Sequence, residues 1–248
     1  MTTLLVLGSK PDPALPELGA IDAVACANAS GHSAARCGLP TPVYTVVSAI
    51  VTSGIASGRQ SLRAMRGLRT EVLHMLPRPT PEGDPLRRAL RRARDLRTSA
   101  AWFRLRLAAA GYRWERFESR PLSAWHALVA GLCGDSIEVG IARKQPSTGA
   151  FAVALGLADA RFDRVVVAGM SFELTHAYGP NPEIAERGTS ASRHADTDIE
   201  VLARLARSGR LFTTETIVAE RTSVPLWPGD ASASASSARG AAPPLVAR

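Results

Sequence analysis

The sequence predicts an α/β fold: a Rossmann-like, mostly parallel sheet flanked by helices, with a helical basic insertion. Three observations carry this. Short apolar runs rich in Val, Leu and Ala recur at residues 4–8, 22–28, 43–47 and 164–169, and unbroken runs of that length mark strands buried on both faces. They alternate with stretches of helical composition, the pattern of βαβ units. Several end in Gly or Asn next to small polar residues, and ligands of open parallel sheets sit at the carboxyl ends of the strands.

The elements follow in order. Residues 4–8 read as a first strand closing on the turn Gly8-Ser9-Lys10, and three prolines keep residues 11–19 in a loop. Residues 22–28 form a second strand with Asn28 at its end, and residues 43–47 a third. A short basic helix is expected over 60–68 and a strand over 71–76, stopped by Pro77. Residues 77–85 hold four prolines and a glycine and read as an exposed connection. A basic helix is expected over 86–107, with Arg87, Arg88, Arg91 and Arg92 on one face. Tyr112, Trp114, Phe117 and Trp125 are expected to cluster, which makes 86–135 a helical insertion or lid.

Ser147 or Thr148 can cap a helix over 150–158, whose residues are apolar and helix-favouring. A strand follows at 164–169, an amphipathic helix at 198–208 and a short strand at 211–214. The Ala/Ser/Pro-rich residues 228–248 are expected to be a disordered tail behind a single domain over 1–227.

The composition narrows the function classes. The 248 residues with 46% hydrophobic content suit one domain with a full core. Cys26, Cys37 and Cys133 have neither zinc spacing nor an even disulfide framework, which points to a reducing cytoplasm. The first residues lack a basic leader, and no apolar run reaches membrane-spanning length, so a soluble or peripheral protein is expected. The formal charge of +8 comes almost wholly from arginine, since lysine occurs only at Lys10 and Lys144. It reflects either a GC-rich coding bias or an anionic partner such as nucleic acid, a membrane surface or an acidic glycan.

Four features converge: Gly8-Ser9, Asn28 and Ser147-Thr148-Gly149, each at a predicted strand end or helix start, and the cluster His176, Tyr178 and His194. The Pro-Ser-Thr-Gly turn presents free backbone N–H groups and a partial positive charge to an anion. Asn28 can both donate to and accept from a ribose or base edge. No G-x-x-x-x-G-K-[ST], G-x-G-x-x-G or G-x-S-x-G pattern occurs, which argues against a P-loop kinase, a dinucleotide oxidoreductase and the usual hydrolase elbow. No Asp-x-Asp pair is present to carry a metal-dependent sugar-nucleotide reaction.

Gln145-Pro146-Ser147-Thr148-Gly149, followed by a helix and Asp163-Arg164-Val165-Val166-Val167-Ala168-Gly169-Met170, resembles the small sialyl motif of sialyltransferases, glycosyltransferase family 29. His176-Ala177-Tyr178 is similar to that family's third motif. His194, followed by Asp198 and Glu200, resembles its very small motif. Residues 6–9 and 21–28 resemble the two halves of its large motif. The sequence departs from the pattern in three ways. Ser9 stands where the family usually has Asn, and the acid after His194 lies one position to either side. The disulfide between the large and small motifs has no counterpart, because the small-motif region lacks Cys.

The resemblance implies a sialyltransferase-like variant of the fold and an inverting, metal-independent transfer of sialic acid from a CMP-activated donor. Kdo, another acid sugar carried by CMP, is the close alternative. His194 is then the base, with Asp198 or Glu200 orienting its ring, and His176 and Tyr178 stabilise the departing phosphate. Gly8, Ser9, Asn28, Ser147, Thr148 and Gly149 hold the CMP-sugar. The acceptor is a glycan or glycolipid, and the Arg-rich segment 87–106 is the expected contact with the inner membrane. No cofactor, metal or nucleic acid is expected. A non-catalytic protein binding nucleic acid or a membrane surface is the rival class.

Overall fold

Seven parallel strands form one sheet in the order β5-β4-β3-β2-β1-β6-β7. The computed structural model describes residues 1–78, 99–134, 137, 141 and 144–229. The strands are β1 (Thr3–Leu7), β2 (Ala23–Ala27), β3 (Tyr44–Ser48), β4 (Arg69–Leu76), β5 (Arg113–Ser119), β6 (Arg164–Ala168) and β7 (Leu211–Thr213). Among the described residues the α-helices are α1 (Gly31–Arg36), α2 (Ala56–Ala64), α3 (Ala100–Ala109), α4 (Leu122–Cys133), α5 (Thr148–Ala158), α6 (Pro182–Arg187), α7 (Ala195–Leu205) and α8 (Thr216–Thr222). From β1 the chain winds outward to β5, then crosses back and lays β6 on the other side of β1. That reversal opens a crevice between the carboxyl ends of β1 and β6, where doubly wound sheets bind their ligands.

Alternation within the strands feeds two cores. Leu4 and Val6 of β1 face α4, α5 and α7, packing with Trp125, Phe151, Val201 and Leu202. Leu5 and Leu7 point the other way, against Val24, Cys26, Ala34 and Val166. Every residue of β1 and β2 is therefore buried, which is why these strands read as continuous apolar runs. Further out on the second face, Met65, Phe103, Leu107 and Tyr112 close over β3 and β4.

Residues 99–134, the described part of the span expected to be a helical insertion, hold an edge strand and a core helix. Residues 113–119 are the edge strand β5, which pairs with β4 through Thr70–Trp114 and Leu73–Phe117. Their sequence, Arg-Trp-Glu-Arg-Phe-Glu-Ser, lacks the β-branched signal of a strand because its outer face is solvated. Helix α4 is a core element: Trp125 is fully buried, with its ring 5.6 Å from Phe151 and 6.1 Å from His74. The expected aromatic cluster is therefore split across the sheet. Phe117 packs with Phe103 and Trp114 with Tyr112 on one face, while Trp125 lies on the other. Arg87, Arg88, Arg91 and Arg92 lie outside the described residues, as does the tail from residue 230. The basic helix expected over 60–68 begins earlier and spans Ala56–Ala64. Among the described residues, no helix is long and apolar enough to cross a membrane.

Candidate active site

The ends of β1 and β6 meet backbone to backbone. Gly8 N–H donates to the Ala168 carbonyl at 2.8 Å, and Lys10 N–H to the Gly169 carbonyl at 2.9 Å. A Cβ on Gly8 would stand 2.2 Å from the Gly169 carbonyl oxygen, and Gly169 itself has φ +69°. Only glycine allows both the close approach and the left-handed turn. The contact floors a cleft of about 850 Å³, a volume within the range of small-molecule sites. Gly8, Ser9, Asn28, Ser147, Thr148, Gly149, His176 and His194 all line it. Eight of the nine residues singled out from the sequence thus come together; Tyr178 does not line the cleft.

One wall is the start of α5. Ser147 caps the helix, its Oγ accepting from Ala150 N–H at 3.3 Å. The N–H groups of Thr148 and Gly149, the first two residues of the helix, have no intrahelical acceptor and suit an anion. Asn28 adopts φ +51° at the end of β2, and its Oδ1 accepts from Ser48 N–H at 2.9 Å. This ties β2 to β3 and leaves the Nδ2 donors for a ligand.

His194 immediately precedes α7. Its Nδ1–H donates to the Gln145 carbonyl at 2.6 Å, so the neutral ring keeps the Nε2 lone pair as a proton acceptor. The ring is thus held by a main-chain oxygen rather than by Asp198 or Glu200. Glu200 pairs with Arg204 one turn along the helix. Asp198 is buried, and its Oδ1 accepts from Ser147 N–H at 2.7 Å. Burial pushes its carboxyl up to about 6, against the opposing pull of the Ser147 hydrogen bonds and the His194 charge. Lys144 and Asp196 add an exposed ion pair at 2.8 Å. Segment 144–147 and the start of α7 are thereby joined at three places.

His176 is engaged at both ring nitrogens. Its Nδ1 lies 3.2 Å from Ser9 Oγ, and its Nε2 lies 3.0 Å from Asn181 Nδ2. Burial lowers its pKa, opposed by the charge of Glu183 and by a hydrogen bond to the Thr175 main chain. Tyr178 stacks on it with centroids 4.8 Å apart and planes 10° from parallel. The Tyr178 hydroxyl shares a hydrogen bond with Ser61 of α2 at 3.2 Å, and burial raises its pKa. It braces His176 from behind the cleft.

Three functional-looking groups escaped the sequence reading. Glu215, 2% exposed, accepts from Gly169 N–H at 2.8 Å and Ala14 N–H at 3.1 Å, and forms an ion pair with Lys10, which lines the cleft. Asn181 caps α6 and reaches His176. The Gln145 carbonyl has no side-chain signature at all. Lys10, one of only two lysines in an arginine-rich chain, was the available signal for the first. Among the described residues no cluster of three or more His, Cys, Asp and Glu is arranged to hold a metal.

No known protein-family profile matches the chain, and no curated protein does. Solved structures do match in fold. One is a point variant of the sialyltransferase CST-II in complex with CMP, with TM-score 0.52, 10% identity, 92% of this chain and 87% of that chain. Another is the sialyltransferase CstII from Campylobacter jejuni with cytidine monophosphate, with TM-score 0.50, 12% identity, 92% of this chain and 86% of that one. CST-II in complex with a trisaccharide acceptor and CMP matches at TM-score 0.50 and 12% identity, over 92% and 87% of the two chains. The seven-stranded parallel architecture therefore matches the fold of these sialyltransferases.

Proposed function

We propose that the protein is a glycosyltransferase that moves sialic acid, or a related acid sugar such as Kdo, from a CMP-activated donor to a glycan or glycolipid. The observation that carries this reading is the disposition of His194. Its Nδ1–H is committed to the Gln145 carbonyl, which leaves Nε2 as a base in the same cleft as the free N–H groups of Thr148 and Gly149. A base for a hydroxyl and a seat for a leaving phosphate are the two requirements of such a transfer. The fold of the CMP-bound sialyltransferases supports the assignment of the seat to CMP.

In this mechanism the acceptor hydroxyl gives its proton to His194 Nε2 as its oxygen bonds the anomeric carbon. The bond from that carbon to the phosphate oxygen breaks, and CMP leaves with the electron pair. A single displacement inverts the anomeric centre. The developing charge on the phosphate is met by Thr148 and Gly149 N–H groups and by the Ser9 and Thr148 hydroxyls, donors that need no reorganisation as charge appears. The reading assigns this work to hydrogen-bond donors and requires no metal. Tyr178 has only an indirect part, because its hydroxyl is turned to Ser61.

The test is CMP release from CMP-sialic acid and from CMP-Kdo, each with and without candidate glycans. Acceptor-dependent release from one donor is expected. Absence of CMP binding at millimolar concentration, read as no shift in melting temperature, would defeat the proposal; occupancy at a hundred times Kd stabilises a protein by about 2.7 kcal/mol.

A further inference from the structure

We infer that Asn181, His176 and Ser9 form a one-way hydrogen-bond relay that turns the Ser9 hydroxyl hydrogen into the cleft, toward an anionic oxygen of the ligand. His176 is then a positioning residue and Ser9 the group that touches the ligand. The identity of that ligand as a nucleoside monophosphate rests on the function proposed above; the direction of the relay does not.

The direction is set at its buried end. Asn181 is 4% exposed, and its Oδ1 accepts from Glu183 N–H at 3.0 Å as the cap of α6. The amide therefore cannot turn over without losing that bond. Its nitrogen faces the imidazole, and an amide nitrogen only donates. His176 Nε2, 3.0 Å away, must accept. The neutral ring then carries its hydrogen on Nδ1 and shares it between Ser9 Oγ, at 3.2 Å, and the main chain of Thr175. Ser9 Oγ has no other partner among the described residues, so its own hydrogen is available to the cleft that Ser9 lines.

The surroundings hold each link in place. Ala177 N–H donates to the Ser9 carbonyl at 2.9 Å, which fixes the serine backbone beside the ring. Tyr178 lies flat on the imidazole and is itself held by Ser61, so the ring cannot swing out of plane. Ser9 follows Gly8 at the β1–β6 contact and lines the same cleft as the start of α5. A hydroxyl locked as a donor there selects an oxygen that only accepts, as phosphate oxygens do.

The experiment is a double-mutant cycle on CMP affinity by calorimetry, with Ser9→Ala, His176→Phe, the double variant and His176→Gln. Losing a hydrogen bond to a charged oxygen weakens binding by about 10- to 100-fold, so Ser9→Ala should fall in that range. His176→Phe should lose nearly as much, and the double variant should bind no worse than Ser9→Ala alone. His176→Gln, whose amide can accept from Asn181 and donate to Ser9, should stay within a few-fold of the parent. Additive losses in the double variant, or unchanged affinity in His176→Phe, would overturn the relay. Nitrogen-15 spectra of the imidazole in the unmodified protein give a second readout that needs neither CMP nor a variant. The Nδ1-protonated neutral tautomer is expected, and the Nε2-protonated tautomer or an imidazolium would overturn the relay. A parent protein that binds no CMP yet shows the expected tautomer would defeat the donor assignment alone.

Discussion

Gly8→Ala tests the crevice on which the site depends. The new Cβ would stand 2.2 Å from the Gly169 carbonyl oxygen and 2.8 Å from its carbon, where ordinary contact begins near 3.4 Å. The opposing atoms are backbone and cannot rotate away. They are also tied down, by Gly8 N–H to Ala168, Lys10 N–H to Gly169, and Gly169 N–H to Glu215. Opening the gap stretches at least one of these bonds, each worth about 1 kcal/mol net. Overpacking a tight site adds about 1–3 kcal/mol, so a loss of about 3 kcal/mol is expected. For a chain of this size that lowers Tm by roughly 6–12 °C. The same shift displaces Ser9 and Met170, both cleft residues, and CMP affinity should fall at least about tenfold. Gly131→Ala is the paired control. It lies exposed in α4 with nothing within 4 Å of the added carbon, and should gain about 0.5–1 kcal/mol. Differential scanning fluorimetry and CMP titration check both. A Gly8→Ala protein melting within about 2 °C of the parent, with unchanged CMP affinity, would refute the close-contact reasoning.

Three further outcomes are expected. His194→Ala should lower transfer by about 10²–10⁴-fold while CMP affinity stays within a few-fold, as steady-state kinetics and calorimetry would show; retained turnover would remove the base assignment. Asp198→Asn should stabilise the protein in a pH-dependent way. The folded carboxyl titrates near 6, above its ordinary value of 3.8, so its contribution is fully present below about pH 4 and lost as pH rises through about 6. Relative to the parent, the variant should therefore gain up to about 3 kcal/mol between pH 4 and pH 7.5, and a Tm difference independent of pH would contradict this. Glu215→Ala strips a buried carboxylate from Lys10 and two backbone donors. It should cost about 3–5 kcal/mol in urea unfolding, and a variant as stable as the parent would show that water replaces the carboxylate at little cost.

The sheet was legible wherever both of its faces are covered. Val165, Val166 and Val167 announce a buried strand, and so do Leu4 to Leu7, because no polar face has to be accommodated. Strand β5 was not legible, since Arg113 and Glu115 on one face and Arg116 on the other are all exposed at this sheet edge and erase the alternation. Trp125 was grouped with Trp114 and Phe117 by proximity in sequence, although the edge strand and the turn after it separate them to opposite faces. The cleft itself was legible through residues at strand ends and the helix cap. The roles within it were less so. Sequence suggests a carboxylate beside His194, but the ring is met by the carbonyl of Gln145, a group every residue carries. His176 reads from the sequence as a donor to the ligand, and nothing in the sequence points to Asn181, five residues on, as the neighbour of its second ring nitrogen.

The joints between segment 144–147 and the head of α7 have a mechanical consequence. Lys144 to Asp196, Gln145 to His194 and Ser147 to Asp198 run in register, so the turn proposed to seat the phosphate and the helix headed by His194, the proposed base, are tied into one body. The distance between the two reacting ends is then insensitive to how wide the cleft stands. Opening has to take place on the far side, where Ser57, Gln60 and Ser61 of α2 clasp Glu183, the Pro180 carbonyl and Tyr178. Those bonds belong to a single face of one short helix. Under the proposed function, loosening them should change how fast a nucleotide enters and leaves and leave the geometry of transfer as it was.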